Sequence, residues 1–231
     1  MVLNWNKISL YKFQQIDVIN NRNDLDDLDK LLFTTCIVCD LTEYQLDNMK
    51  PVKSGKLIRK VSELFSKPFE PKPFNKIGFY SLNYDTGSMR FGQYMELSFF
   101  LSGDTIAAAH NILASMSGNN DSDNHSLRAE YFLTQPITMI TGTISRFIEN
   151  FRAFNKSYEW LFGLDVDVHE PGAVNDPFNK KYGWHYAAEQ IAIYERIKLD
   201  DVYNLNIRNV FNDLAYLKAK SKYEIEQLKK K

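Results

Sequence analysis

Several places in this 231-residue sequence bring together side chains whose types and spacing could do chemistry. Cys36 and Cys39 bound a Cys-Ile-Val-Cys tetrad. A redox pair of that spacing follows a strand and opens a helix, whose N-terminus lowers the thiol pKa. Here the tetrad lies within a helical pattern from Leu25 to Leu41, beside Leu31, Leu32 and Phe33. A zinc site would need two further ligands, and neither a second Cys pair nor a paired His accompanies it. The pattern predicts two reduced core cysteines.

Asp85-Thr86-Gly87-Ser88 spells the aspartic-protease signature. That chemistry needs two aspartates sharing one proton, hence a symmetric dimer built on strands. The residues that follow, Met89 to Leu97, read as helix, so the tetrad is expected to be a turn in which Gly87 is free to take a positive φ. Asp165, Asp167 and His169 would share one face of an extended segment, the nearest approach to a metal set, but no helical His pair supports them and the expectation is an exposed loop. Asp24, Asp26 and Asp27 lack the Gly and closing Glu of a calcium loop and suit a helix start, where the macrodipole favours negative charge. Gly118 to Ser126, with Asp121, Asp123 and His125, reads as a polar surface loop. His110 neighbours an apolar stripe and is expected at the core or its boundary. No Gly-rich phosphate loop, nucleophile elbow or His-Glu-x-x-His is present. The four histidines and scattered carboxylates form no acid–base set. The sequence thus nominates no catalytic, cofactor-binding or metal residue, and the chain is read as no enzyme.

The elements that must carry these residues are mostly helices. Hydrophobic residues make up 44% and aromatic residues 14% of the chain, enough for a sizeable core. A net charge of -1 gives no general attraction to nucleic acid or anionic membrane. No apolar run approaches the roughly 20 residues that span a bilayer. Met1 to Lys7 lacks a basic and then apolar leader, which points to a cytoplasmic site of action. The expected fold is mainly α, a multi-helix bundle with one small β-hairpin or β segment near residues 75–90. An N-terminal helical subdomain (1–67) is expected to meet a Pro-rich connector (68–74), which stiffens and separates it from residues 75–231.

Within that frame Ser9 can cap a helix carrying Leu10, Phe13, Ile16 and Val18. Thr42 can cap the single turn Glu43 to Leu46, and Pro51 suits the first turn of the next helix. That helix turns Leu57, Ile58, Val61, Leu64 and Phe65 inward and Lys53, Lys56, Arg59 and Lys60 elsewhere. The stretch from Phe74 to Leu101 is the clearest β signal, with Ile77 and Phe79 on one face. It runs into a helix so apolar (Phe91, Tyr94, Met95, Leu97, Phe99) that it is expected to be covered on all sides. Asp104 can cap a helix with Ile106, Ala109, Leu113 and Met116 at core spacing. Pro136 opens what reads as the longest helix. Its seam of Ile137, Ile140, Ile144, Phe147, Phe151, Phe154, Tyr158 and Leu161 suits packing against another long helix or a partner chain. Gly142 inside it suggests a close helix crossing. The last helix loses its apolar stripe after Leu217 and gains Lys220, Lys222, Lys229, Lys230 and Lys231, a solvated tail or a contact for an acidic partner.

The N-terminal helices, Leu41-Thr42-Glu43-Tyr44-Gln45-Leu46, the β segment entering Met89-Arg90-Phe91-Gly92-Gln93-Tyr94, the tetrad Lys181-Tyr182-Gly183-Trp184, Leu199-Asp200-Asp201-Val202 and Asn209 to Leu217 together resemble small morphogenesis proteins of tailed bacteriophages, the tail-assembly-chaperone-like type above all. Gly118 to Ser126 and the lysine-rich end have no counterpart in that resemblance. It implies a non-enzymatic assembly or virion structural protein, without cofactor, in the virion or the host cytoplasm. Its partners would be other phage structural proteins of the tail or neck, or a second copy, with neither membrane nor nucleic acid expected. Phe91, Tyr94, Phe147, Phe151, Phe154, Tyr158, Trp184 and Phe211 are the residues expected to meet a partner. Two alternatives stand beside this reading. One is a nucleic-acid-associated protein using Lys53, Lys56, Arg59, Lys60 and the lysine tail. The other is an enzyme without a recognisable motif.

Overall fold

A computed structural model describes residues 3–67, 69–118, 122–162 and 177–229. After a short 3-10 turn at Trp5–Lys7 come α1 (Leu10–Asn20), α2 (Asp27–Cys39), α3 (Glu43–Asp47) and α4 (Pro51–Phe65). The strands β1 (Lys76–Ile77) and β2 (Tyr80–Ser81) precede α5 (Phe91–Leu101), α6 (Ala109–Ser117), α7 (Ser122–Leu133) and α8 (Ile137–Ser157). Then follow α9 (Glu159–Phe162), α10 (Pro177–Glu195), α11 (Leu199–Val202) and α12 (Ile207–Lys229). The architecture is mainly α with one two-stranded antiparallel sheet, as the sequence predicts.

The described chain forms two compact units, 1–82 with 103–146, and 83–102 with 147–231. This differs from the division expected at 68–74. The connector separates nothing, because it lies on the first unit. The Trp5 ring sits 4.8 Å from Phe65, before the expected connector, and 4.9 Å from Phe69, within it. Trp5 Nε1 donates to the Lys67 carbonyl at 3.0 Å. Further along, the Phe74 N–H donates to Thr143 Oγ1 on α8 at 3.0 Å.

Caps start the helices of the first unit. Ser9 Oγ accepts the Lys12 N–H at 3.3 Å, and the Asp26 carboxylate accepts that of Asp29 at 2.8 Å. Thr42 and Gln45 exchange side-chain and backbone bonds at 3.2 and 2.9 Å in a capping box. Pro51 opens α4 without costing it a hydrogen bond. Asp104 caps a turn, taking the Ile106 and Ala107 N–H groups, and α6 begins five residues later at Ala109. α1 packs on α2 and α7, α2 on α4, and α6 on α7. Leu10, Ile16, Val61, Ile112, Leu113, Phe132 and Ile137 are buried among them, whereas Val18 is exposed.

Three local expectations change here. The segment expected as a loop through Ser126 is already α7 from Ser122, because Arg128, Ala129 and Phe132 give it a buried face at helical spacing. The hairpin pairs Lys76 with Ser81 and Ile77 with Tyr80, so Gly78-Phe79 is its two-residue loop. Gly78 takes φ 58° against the Tyr131 hydroxyl, and Phe79 is 87% exposed rather than sharing a face with Ile77. The glycine with a positive φ is therefore Gly78, and Gly87 lies in a 3-10 turn, Thr86–Ser88.

In the second unit, α5 is positioned by backbone bonds to the segment before α12. The Phe91 N–H donates to the Leu205 carbonyl at 2.8 Å, and the Ile207 N–H to the Met89 carbonyl at 2.9 Å. Phe91, Tyr94 and Leu97 are buried, but Phe99 is 73% exposed, so the helix is not covered on all sides. α8 is not the longest helix. It has 21 residues, ending before Tyr158 and Leu161, and α12 has 23 among the described residues. Its seam is sealed within the chain from Ile137 to Phe151. Ile207, Val210 and Phe211 bury the first half of α12, while residues 219–229 are all exposed.

Candidate functional site

The eight aromatic residues expected to meet a partner do converge, but on one another. In the second unit Tyr94 stacks on Phe151 at 5.0 Å and meets Phe211 edge-on at 5.2 Å. Phe154 and Tyr158 close on Phe211 at 5.7 and 5.0 Å, Trp184 stacks parallel to it at 6.3 Å, and Phe91 and Phe147 join through Trp184 and Phe151. Phe91, Phe147 and Phe211 are fully buried and Tyr94 is 3% exposed; Phe154, Tyr158 and Trp184 are half-buried. The Tyr94 hydroxyl donates to Asn155 Oδ1 at 2.8 Å. Burial pushes that hydroxyl up to about 12. Stacked and edge-on rings at these distances hold a core together. In this fold the cluster organises the unit, and its buried members present nothing to a partner.

The exposed surface of the same unit lies elsewhere. α10 turns Ala188 and Ile191 inward, with Trp184 and Ala187 half-buried beside them. On another face Tyr182, Tyr186 and Ile193 fall four and seven residues apart, and Ile193 is 73% exposed. Tyr194, at the end of α10, meets Tyr216 of α12 at 5.8 Å, both rings partly open to solvent. Lys181 Nζ lies 5.1 Å from the Tyr182 ring, and His185 pairs with Glu189 at 3.3 Å beside the stripe. The sequence signal for this surface was there, since the apolar residues of α10 run around the helix instead of keeping to one side.

The groups with chemical potential are placed as follows. Cys36 is buried and Cys39 half-buried in α2, both as free thiols. Burial pushes both up, with Glu43 and Asp47 adding to it at Cys36, and a protonated thiol is a poor nucleophile. Asp85 Oδ1 accepts the Gly87 N–H at 3.0 Å and lies 3.4 Å from Arg208, so its carboxylate is committed to the turn. His125 Nε2 is 3.2 Å from Ser115 Oγ, yet that hydroxyl donates to the Asn111 carbonyl at 3.0 Å. His110 is half-buried, 3.3 Å from Gln14 Nε2, and burial lowers its pKa with His125 adding to the effect. Asp165, Asp167 and His169 lie outside the described residues. Among the described residues no group of three or more His, Cys, Asp or Glu stands close enough to hold a metal ion. Lys53, Lys56, Arg59 and Lys60 are exposed on α4, with Arg59 3.5 Å from Glu63.

An open cleft of about 420 Å³ in the first unit is lined by Trp5, Asn6, Phe69, Lys72 and Thr138 among others. Its inner polar groups are used internally: Trp5 holds Lys67, and the Thr138 hydroxyl donates to Asn6 Oδ1 at 2.7 Å.

The fold and these surfaces define a mainly helical protein with an aromatic core and with partly exposed aromatic and apolar side chains on α10 and α12. No described helix is long and apolar enough to cross a membrane. Comparison with protein-family models, with curated proteins and with solved structures found no match.

Proposed function

We propose that the chain is a non-enzymatic bacteriophage assembly or virion structural protein that acts by protein–protein contacts, either as a tail-assembly-chaperone-like protein or as a tail or collar component. The phage assignment is supported by the sequence resemblance. The binding role is supported by the α10 surface, where Tyr182, Tyr186 and Ile193 line an exposed face of a helix whose other side is core. Tyrosine gives a large contact area for little lost side-chain freedom, and exposed apolar stripes of this kind mark interaction surfaces. The contact is thus moved from the residues expected in the sequence to those on the outer face of α10.

Quantitative mass spectrometry of particles, and of assembly intermediates from the same lysate, tests this reading. Stoichiometric presence in particles identifies a structural subunit. Presence in tail intermediates alone identifies a chaperone. Absence from both contradicts the proposal.

A further inference from the structure

The same helix entry is built twice, once in each unit. In the first, the 3-10 turn Trp5–Lys7 is followed by the extended Ile8 and Ser9 and then by α1. In the second, the 3-10 turn Thr86–Ser88 is followed by the extended Met89 and Arg90 and then by α5. Both helices have 11 residues. Ser9 forms an isolated antiparallel bridge with Pro136, just ahead of α8, and Arg90 forms one with Asn206, just ahead of α12. The bonds match as well. The Leu10 N–H donates to the Gln135 carbonyl and the Phe91 N–H to the Leu205 carbonyl, each at 2.8 Å. The Ile137 N–H donates to the Ile8 carbonyl and the Ile207 N–H to the Met89 carbonyl, each at 2.9 Å. Ile8, Leu10, Ile16 and Ile137 are buried, and so are Met89, Phe91, Leu97 and Ile207 at the corresponding positions. In both units the second residue of the long helix reaches the middle of the 3-10 turn. The Thr138 hydroxyl donates to Asn6 Oδ1, and the Arg208 guanidinium fills the space a Cβ on Gly87 would need. From Ile8 to Ile16 and from Met89 to Leu97 no aligned residue is identical, so the likeness lies in apolar pattern and backbone.

We infer that each pair of bonds is a clamp on which its own unit opens and closes, so that one unit can open while the other stays shut. Each clamp uses the first N–H of two helices, groups that no intrahelical carbonyl can satisfy. The side chains beside them are buried, so water does not replace a lost bond while the unit stays packed, and an orphaned group there costs free energy. Parting the two sides of a clamp therefore means parting the two helices that start from it. The joined segments are remote in sequence, α1 with α8 and α5 with α12, and they alternate along the chain, so neither unit is one continuous piece. Packed units of this kind open as cooperative wholes. The inference uses no exposed surface and does not rest on the protein-binding reading.

Native-state hydrogen exchange of the full chain, followed by NMR at low denaturant, tests this. The Leu10 and Ile137 amides are expected to share one opening free energy and one denaturant slope, and the Phe91 and Ile207 amides another. Ile207→Pro removes one donor of the second clamp, and proline suits a first helical position. Ile207→Ala trims the same side chain but keeps the N–H. Exchange at Phe91 is expected to be at least about fivefold faster in the proline variant than in the alanine variant, with Leu10 and Ile137 unchanged. Ile137→Pro against Ile137→Ala is expected to speed Leu10 by a similar factor and leave Phe91 and Ile207 unchanged. Different openings for the two amides of one clamp, or a single opening shared by all four, would overturn the inference. So would equal exchange in the proline and alanine variants, or acceleration carried into the other unit. The wild-type measurement decides the matter even where a proline variant does not fold.

Discussion

The backbone of Lys72 passes so close to Gly142 that a Cβ on the glycine would stand 2.5 Å from the Lys72 nitrogen and carbonyl carbon. One residue further along α8, the Thr143 hydroxyl accepts the Phe74 N–H, so helix and extended segment are joined by contact and by hydrogen bond. The close approach that Gly142 signals is thus to an extended chain, not to a second helix.

Gly142→Ala sets two effects against each other. Alanine favours the helix by about 1 kcal/mol. The clash falls on backbone, which cannot swing aside, and overpacking costs about 1–3 kcal/mol. Chemical denaturation is expected to show a net loss of stability. A gain of the full helix-propensity term would mean that the segment around Lys72 does not rest on α8.

Tyr94→Phe removes a hydroxyl that is buried and bonded to Asn155. The expected loss is about 1 kcal/mol, with the ring stack kept. The hydroxyl also gives the second unit an alkaline limit. Its pKa is held at about 12 in the fold against 10.0 in an open chain. The folded state therefore keeps a proton that the unfolded state releases, so stability is full below pH 10 and declines as pH rises toward 12. In Tyr94→Phe that part of the decline should vanish, as urea midpoints across this range would show.

His110 works in the opposite direction on the first unit. Burial, and then His125, hold its pKa below the ordinary 6.5, with Gln14 of α1 as its polar neighbour. The unfolded chain takes the proton first, so stability is expected to fall as pH drops below 6.5. His110→Gln should flatten that slope, as read from denaturant midpoints between neutral and mildly acidic pH. An unchanged slope would assign the acid sensitivity to other groups.

Lys218→Met deletes the donor that holds the end of α9 through the Trp160 and Leu161 carbonyls. Faster hydrogen exchange and proteolysis at residues 159–162 are expected, with at most about 1 kcal/mol lost from overall stability. Protection equal to the wild type would show that packing alone keeps α9 in place.

Much of the fold was legible because the caps are local. Ser9, Asp26, Thr42 and Pro51 each start a helix through side-chain chemistry within three residues. What was not legible depended on distant neighbours. The prolines of residues 68–74 have the composition of a boundary, and only the positions of Trp5, Gly142 and Thr143 show why the segment lies on the first unit. Polar composition hid the buried face of α7 at Arg128, Ala129 and Phe132. Phe91, Tyr94, Phe147, Phe151 and Phe211 were recognisable as one aromatic set, but spacing alone cannot say whether such a set faces a partner or its own chain. The open face of α10 could have been found from apolar residues placed on more than one side of a single helix.

The most direct test of the binding role compares wild type with Tyr186→Lys/Ile193→Lys, two exposed positions whose change leaves the aromatic core intact. Chain per particle and chain per tail intermediate are measured by quantitative mass spectrometry, with melting temperature as the control for folding. The account predicts a wild-type chain that travels with particles or intermediates and a folded variant that is lost from both. A variant retained at wild-type levels would contradict it.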